Sequence, residues 1–193
     1  NGGDDTLEGG AGQDTLAGMA GDDALTGGPG VDLADYSSAG SGVTVDLRVL
    51  GPQNTGTGTG MDTLSEIEGV AGSDHGDLLA GDSSANLLQG GGGSDTLTGH
   101  GGADTCEGGA GDDILVVDDS NIAALSAPSD SADFARLDGG DGIDTIALSG
   151  GGLLLDLMSI GKQSGGVPGN AARVQSIERI DVSGSGDNTL ILS

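Results

Sequence analysis

Aspartate recurs every nine residues in this chain, each time at the end of a glycine-rich turn. The series comprises Asp5, Asp14, Asp23, Asp32, Asp77, Asp95, Asp104 and Asp113, with Asn86 in phase between Asp77 and Asp95. Consecutive glycines allow positive φ and let backbone carbonyls converge in a tight turn, and the aspartate then adds carboxylate oxygens. A hard cation that takes about 6–8 oxygen ligands suits this set, so the pattern predicts Ca²⁺ rather than zinc or copper.

An aliphatic residue follows two positions after most of these aspartates, as at Leu16, Leu97 and Leu115. Numbered from its first glycine, each nonapeptide has Asp at position 6 and the aliphatic at position 8. Neither a helix nor a flat strand requires this spacing, so we predict an all-β solenoid in which turns and short strands alternate. If two nonapeptides make one coil, the neighbours are Asp5/Asp23, Asp14/Asp32, Asp77/Asp95, Asn86/Asp104 and Asp95/Asp113. In this register Asp95 has two partners and Asp32 has one, and the Asn86 site should be the weakest.

The composition favours a chain that folds only when cations neutralise it. Its 193 residues include 42 glycines, one Phe, one Tyr and no Trp, and the net charge is −26. Self-repulsion of this size opposes compaction, and the lack of a basic patch argues against nucleic-acid binding. His75 and His100 are too few and too scattered for a transition-metal site. Cys106 stands at position 8, where we expect a small buried hydrophobe, and no internal disulfide is possible.

The chain divides by repeat type. Residues 1–117 hold repeat blocks 1–35 and 72–116, separated by wider solenoid turns over 36–71, a gap of four nonapeptide lengths. Residues 118–133 are predicted to be a surface excursion, and 134–193 continue the solenoid with one clear repeat at 139–147, which adds Asp144. A longer repeat links the two halves: Gly42–Leu47 resembles Gly152–Leu157, and Ile67–Leu79 resembles Ile177–Leu190. No apolar run approaches the roughly 20 residues of a membrane span. Because Asn1 falls inside a repeat and no signal peptide is seen, we expect a fragment of a larger protein.

Three nonapeptides, GGAGQDTLA, GGGGSDTLT and GGAGDDILV, are similar to the G-G-x-G-x-D-x-U-x repeat of RTX (repeats-in-toxin) proteins. The resemblance implies a right-handed parallel β-roll or β-helix with several Ca²⁺ ions between stacked turns. It also implies export by type I secretion and folding on extracellular calcium. The implied ligands are the carboxylates of Asp5, Asp14, Asp23, Asp32, Asp77, Asp95, Asp104, Asp113 and Asp144, with carbonyls of Gly3, Gly10, Gly12, Gly28, Gly30, Gly91, Gly93, Gly102, Gly109, Gly111, Gly140 and Gly142. Three units depart from the pattern: 72–80 has His75 in place of a glycine, 81–89 lacks both the turn glycines and the Asp, and 27–35 has Ala34 in place of the larger aliphatic.

These observations predict a calcium-binding RTX module of a secreted or cell-surface bacterial protein that acts as a structural or adhesive scaffold. The alternative is the C-terminal secretion and folding module of a secreted protease, lipase or pore-forming toxin. The sequence holds no H-E-x-x-H or G-x-S-x-G motif, and we expect no catalysis within it. Besides calcium, a cell-surface, protein or carbohydrate ligand and association through open solenoid ends are the expected interactions. The Thr55, Thr57, Thr59 row could resemble an ice-binding ladder, but we expect a flexible loop there.

Overall fold

A computed structural model gives the structure of the chain and describes residues 2–126, 135–157, 160, 174–184 and 186–191. The first strands in chain order are β1 (Thr6–Glu8), β2 (Thr15–Leu16), β3 (Ala24–Thr26), β4 (Leu33–Asp35), β5 (Thr44–Asp46), β6 (Gln53–Gly56), β7 (Gly60–Ser65), β8 (Gly69–Ala71), β9 (Leu78–Ala80) and β10 (Leu87–Gly92). They are followed by β11 (Thr96–Thr98), β12 (Thr105–Ala110), β13 (Ile114–Val117), helix α1 (Asp119–Ser126), β14 (Arg136–Asp141), β15 (Thr145–Leu148), β16 (Leu154–Asp156), β17 (Val174–Gln175), β18 (Arg179–Asp181) and β19 (Thr189–Ile191).

The strands stack into parallel sheets that wind as a roll, which confirms the predicted fold. One sheet has the order β17-β14-β12-β10-β8-β4-β2, and the facing one has the order β18-β15-β13-β11-β9-β5. From β8 to β15 successive strands alternate between these sheets, so each regular coil uses two nonapeptides. In register, Leu97 pairs with Leu115, 18 residues later, as the two-nonapeptide coil predicts. β1, β3 and β7 form a further parallel stack, and β16 pairs with β19.

One wider coil, between β4 and β8, keeps the nine-residue phase. Leu33 of β4 pairs with Gly69 of β8, 36 residues later, and β8 then pairs with β10 at the normal spacing. Within this longer coil, β6 and β7 form an antiparallel hairpin. Thr55 in β6 and Thr59 in the turn between the strands are buried, whereas Thr57 in the same turn is exposed, so the threonine row does not form an exposed ladder.

The core is a column of position-8 side chains between the sheets. On the larger sheet Ala34, Val70, Leu88 and Cys106 pair in succession, and all are buried. A fully buried leucine contributes about 1.5–3 kcal/mol, so one aliphatic per strand can hold a narrow roll together. Cys106 is the small buried hydrophobe that its position predicted.

Helix α1 lies in the segment where we expected a surface excursion. Asp118 begins it, because its Oδ1 accepts hydrogen bonds from the backbone N–H groups of Ser120 and Asn121, the usual role of an N-cap aspartate. Asn121, Ile122 and Leu125 are buried, so the helix packs on the roll. Residues 127–133 of the predicted excursion lie outside the described residues.

The longer repeat seen in the sequence corresponds to equivalent contacts. The N–H of Val43 donates to Oδ1 of Asp77 at 2.7 Å, and the N–H of Leu153 donates to Oδ1 of Asn188 at 2.9 Å. Val43 and Leu153 hold matching places in the two copies, so the second copy rebuilds the wide coil of the first.

Candidate metal centre

The position-6 residues of neighbouring coils are joined by one recurring hydrogen bond. The backbone N–H of each donates to the side-chain Oδ1 of its counterpart in the next coil. These bonds run from Asp5 to Asp23, Asp14 to Asp32, Asp77 to Asp95, Asn86 to Asp104 and Asp95 to Asp113, at 2.8–2.9 Å. The five predicted neighbour pairs are therefore adjacent. Hydrogen bonds to a carboxylate are stronger than those between neutral groups, so each one fixes both the turn and the side chain.

The series extends beyond the five predicted pairs. Asp144, predicted from the repeat at 139–147, accepts the N–H of Asp113. Asp62, which the nine-residue spacing did not reveal, accepts that of Asp23. Glu68 and Glu178 occupy the same place in the wide coils, because their Oε2 atoms accept the N–H groups of Asp32 and Asp144. Asp32 therefore has two neighbours, Asp14 and Glu68, where the nonapeptide register predicts one. Glu68 stands 36 residues after Asp32, so counting through the gap in nines would have found it.

The second carboxylate oxygen is left without a donor at most of these positions. Oδ2 is buried and has no hydrogen-bond partner within the described chain at Asp14, Asp23, Asp32, Asp95, Asp113 and Asp144. Burying a charged oxygen without a partner is costly, and a group of this kind requires an explanation such as an ion. A repeated orphan carboxylate oxygen is what a cation site between turns would leave when only protein atoms are considered.

Glycines at the turns leave room for these oxygens because they have no Cβ. A Cβ on Gly90, at position 1, would lie 2.2 Å from Oδ2 of Asp95. A Cβ is also excluded at position 4. Gly111 has φ +132°, and a Cβ there would lie 1.6 Å from the carbonyl oxygen of Gly93. The carbonyls of one turn thus point at the next turn, and only glycine accommodates both the close approach and the positive φ. Of the glycines predicted as ligands, all except Gly30 have positive φ.

The comparison with known families agrees with this geometry. The model of the RTX calcium-binding nonapeptide repeat matches residues 1–34 and 80–115, in four copies. These two segments are RTX calcium-binding nonapeptide repeats. RTX nonapeptide repeats bind calcium ions and serve as structural modules. No curated protein matches the sequence significantly, and no described helix is long and apolar enough to cross a membrane.

The donor set of these RTX turns fits calcium. Within the described residues, no three Asp, Glu, His or Cys side chains converge on one point, so a transition-metal cluster is not formed there. A cation would instead take the orphan Oδ2 atoms together with turn carbonyls, an all-oxygen set that suits Ca²⁺. A bound calcium ion would supply positive charge to compensate these carboxylates.

Burial raises the pKa of several RTX carboxyl groups. The pKa of Asp95 rises to about 7 because of desolvation, with further contributions from the charges of Asp113 and Asp77. Desolvation likewise raises the pKa of Asp104 to about 7 and that of Asp113 to about 6. Negative charge is therefore costly in this column of turns unless a cation accompanies it.

At four position-6 residues the side-chain oxygen that does not accept the N–H of the neighbouring coil has a hydrogen-bond partner from the protein, unlike the orphan Oδ2 atoms. Oδ2 of Asp77 accepts the N–H of Ser73, and Oδ1 of Asn86 accepts the N–H of Asp82. Oδ2 of Asp104 accepts the side-chain amide of Asn121, and Asp62 meets Tyr36 and Thr55. Ser73 and Asp82 belong to the two units whose sequences depart from the glycine pattern, so the departure changes what surrounds the position-6 side chain.

Proposed function

We propose that this chain is a structural module of a secreted or cell-surface protein that folds when calcium enters the stacked turns. The ligands in this proposal are the position-6 carboxylates, foremost those with an orphan Oδ2, and the glycine carbonyls beside them. The observation that carries it is the repetition of one buried, unpartnered carboxylate oxygen along the roll, as at Asp95 and Asp113.

The energetic argument follows from charge. The chain carries a net charge of −26, and its turns bring buried carboxylates within one coil of each other. An ion that binds only the folded state adds about 2.7 kcal/mol for each site filled at roughly 100 times its Kd. Several such sites would supply a large share of the usual stability of a domain, about 5–15 kcal/mol. Low calcium inside the cell would then keep the chain unfolded for export, and higher calcium outside would fold it.

In this proposal the folded roll is a scaffold or spacer that presents other parts of the protein, including an adhesive surface. The regular stacking of β8 to β15 supports the role, because each coil contacts mainly its neighbours, as in other solenoids.

Circular dichroism of the chain during a calcium titration tests the proposal. We expect a disordered spectrum in chelator-treated buffer and a cooperative change to a strand-rich spectrum as calcium reaches the millimolar range. Identical spectra with and without calcium would overturn it.

A matched pair of variants tests the ligand assignment. Asp113→Asn removes a charge at a fully buried orphan carboxylate, and we expect its calcium midpoint to rise severalfold. Asp112→Asn removes the same charge from the adjacent exposed aspartate and keeps the Oδ1 that accepts the N–H of Ile143. Equal midpoints for the two variants would contradict the assignment.

A further inference from the structure

We use rung for a position-6 carboxylate of the roll together with the groups around its Oδ2. We propose that the rungs at Asp62 and Asp104 are closed by protein side chains instead of calcium, so that two of the long insertions in the roll each supply a neutral replacement for a cation. The inference rests on the calcium-folding function proposed above and specifies where along the roll the ions do not bind.

At Asp62 the replacement comes from the insertion between β3 and β7. The Tyr36 hydroxyl donates to Oδ2 of Asp62 at 3.0 Å, and Oγ1 of Thr55 lies 2.8 Å from the same oxygen. All three residues are buried, with Thr55 fully so. Two hydroxyls therefore occupy the oxygen that is left unpartnered at Asp23, the preceding rung of the same series.

At Asp104 the replacement comes from helix α1. Nδ2 of Asn121 donates to Oδ2 of Asp104 at 2.7 Å, and Asn121 is 2% exposed. The amide is held in this orientation because its Oδ1 accepts the N–H of Asp118 at 3.0 Å. Oδ1 of Asp104 already accepts the N–H of Asn86, so both carboxylate oxygens have donors from the protein.

Both replacements lie where a ladder of carboxylates ends. After Asp104 the next coil places Ala135 in register, since Thr105 pairs with Arg136, and alanine offers no carboxylate. After Asp62 the neighbour of β7 is the antiparallel β6 rather than another parallel turn. A cation at either place would have a carboxylate from one coil only, whereas hydroxyl and amide donors need no second turn.

The insertions and the replacements coincide in sequence. The register of β3 with β7 spans 39 residues, and that of β12 with β14 spans 31, in place of the usual 18. Tyr36 and Thr55 lie in the first excess segment, and Asn121 lies in the second. Hydrogen-bond donors at a buried site satisfy a carboxylate without a metal ion. The number of residues per coil can therefore change at these two places.

Bound calcium, counted by equilibrium dialysis and metal analysis of the full chain, tests the inference. Asp62→Asn and Asp104→Asn keep an acceptor for the ladder N–H, and we expect them to bind as much calcium as the wild type. The same substitution at Asp95 or Asp113 should remove at least one ion or weaken its binding tenfold or more. Loss of an ion from Asp62→Asn or Asp104→Asn equal to that from Asp113→Asn would overturn the inference and leave the proposed function intact. A wild-type chain that binds no calcium would overturn both.

A double-mutant cycle covers the case in which an Asn variant does not fold. Asn121→Ala and Asp104→Ala are compared singly and together at saturating calcium, by the midpoint of urea unfolding. Residues in direct contact give non-additive effects, so we expect the double variant to lose less than the sum of the single losses. Additive losses would contradict a direct closure of Asp104 by Asn121. An unchanged midpoint for Asn121→Ala would do the same, since it would mean that an ion fills the place of the amide.

Discussion

The backbone N–H of Asp95 donates to Oδ1 of Asp113, 18 residues later, at 2.8 Å. The remaining oxygen of Asp113, Oδ2, is buried without a partner. One carboxylate thus has a structural oxygen, which sets the coil spacing, and a second oxygen that is available to a cation. These two separate roles explain why aspartate, with two equivalent acceptor oxygens on a short side chain, stands at position 6.

Replacement of the first glycine of a turn should be costly even though its φ is ordinary. A Cβ at Gly90 would lie 2.2 Å from Oδ2 of Asp95 and 2.4 Å from the carbonyl oxygen of Gly108. We expect Gly90→Ala to lower the free energy of unfolding in calcium by about 1–3 kcal/mol, the usual range for overpacking. Gly51→Ala is the control, because nothing lies within 4 Å of its Cβ position. Urea denaturation compares the two, and equal stabilities would contradict the close approach.

Acid should partly replace calcium in the metal-free chain. Burial raises the folded-state pKa of Asp95 and Asp104 to about 7 and that of Asp113 to about 6, against 3.8 for the ordinary carboxyl. The folded state therefore holds more protons than the unfolded state between pH 4 and 7. Stability from this source is fully present below the unfolded pKa and is lost as the pH rises through 6 and 7.

We expect the calcium-free chain to gain folded structure as the pH falls from about 8 to about 5. Chelator-treated buffers and circular dichroism measure this change. With calcium present the trend should weaken or reverse, because protons compete with the ion for the same oxygens. A calcium-free chain that becomes less folded on acidification would show that these carboxyl groups do not control its stability.

Tyr36 is the only tyrosine in the chain, so its ionisation can be followed without ambiguity. Burial, followed by the negative charge of Asp62, raises its pKa well above the ordinary value. In calcium the phenolate absorbance near 295 nm should stay low until the roll unfolds, whereas the chelated chain should titrate near pH 10. The raised pKa contributes no pH-dependent stability below about pH 10, and stability falls above that pH as the unfolded state ionises. A normal titration in calcium would show that Tyr36 is not buried against Asp62.

Cys106 should report folding through its reactivity. The thiol is 2% exposed, and burial raises its pKa above the ordinary range. Because the thiolate is the reactive form, Ellman's reagent should label Cys106 far more slowly in calcium than in a chelator. The chelated chain with added urea provides the fully accessible reference. Equal labelling rates in calcium and chelator would contradict either the burial of Cys106 or the coupling of folding to calcium.

The repeat itself was sufficient to predict the regular part of the fold. The interval of nine, with glycine before and leucine after the aspartate, predicted a coil of two nonapeptides. The pairing of Leu97 with Leu115 confirms that register. The residue types also predicted an oxygen site for calcium, since no other ligand type recurs in phase.

Residues in the irregular segments were less predictable, because their partners are remote in sequence. Glu68 could have been found by phase, but Asp62 lies 39 residues from Asp23, and no multiple of nine that fits a coil connects them. Tyr36 and Asn121 gave no motif at all, since one hydroxyl or one amide has a role only when the chain folds it against a carboxylate.

The sequence alone thus determined the period, the buried column of aliphatic side chains and the chemical class of the ion. These are local properties: each nonapeptide carries its own turn, ligand and strand. Only the tertiary structure decided which carboxylate oxygens lack a protein donor, as Oδ2 of Asp113 does, and which have one, as Oδ2 of Asp104 does. The physical reason is that the satisfaction of a buried charge depends on every group within hydrogen-bonding distance, and the insertions bring those groups from outside the repeat.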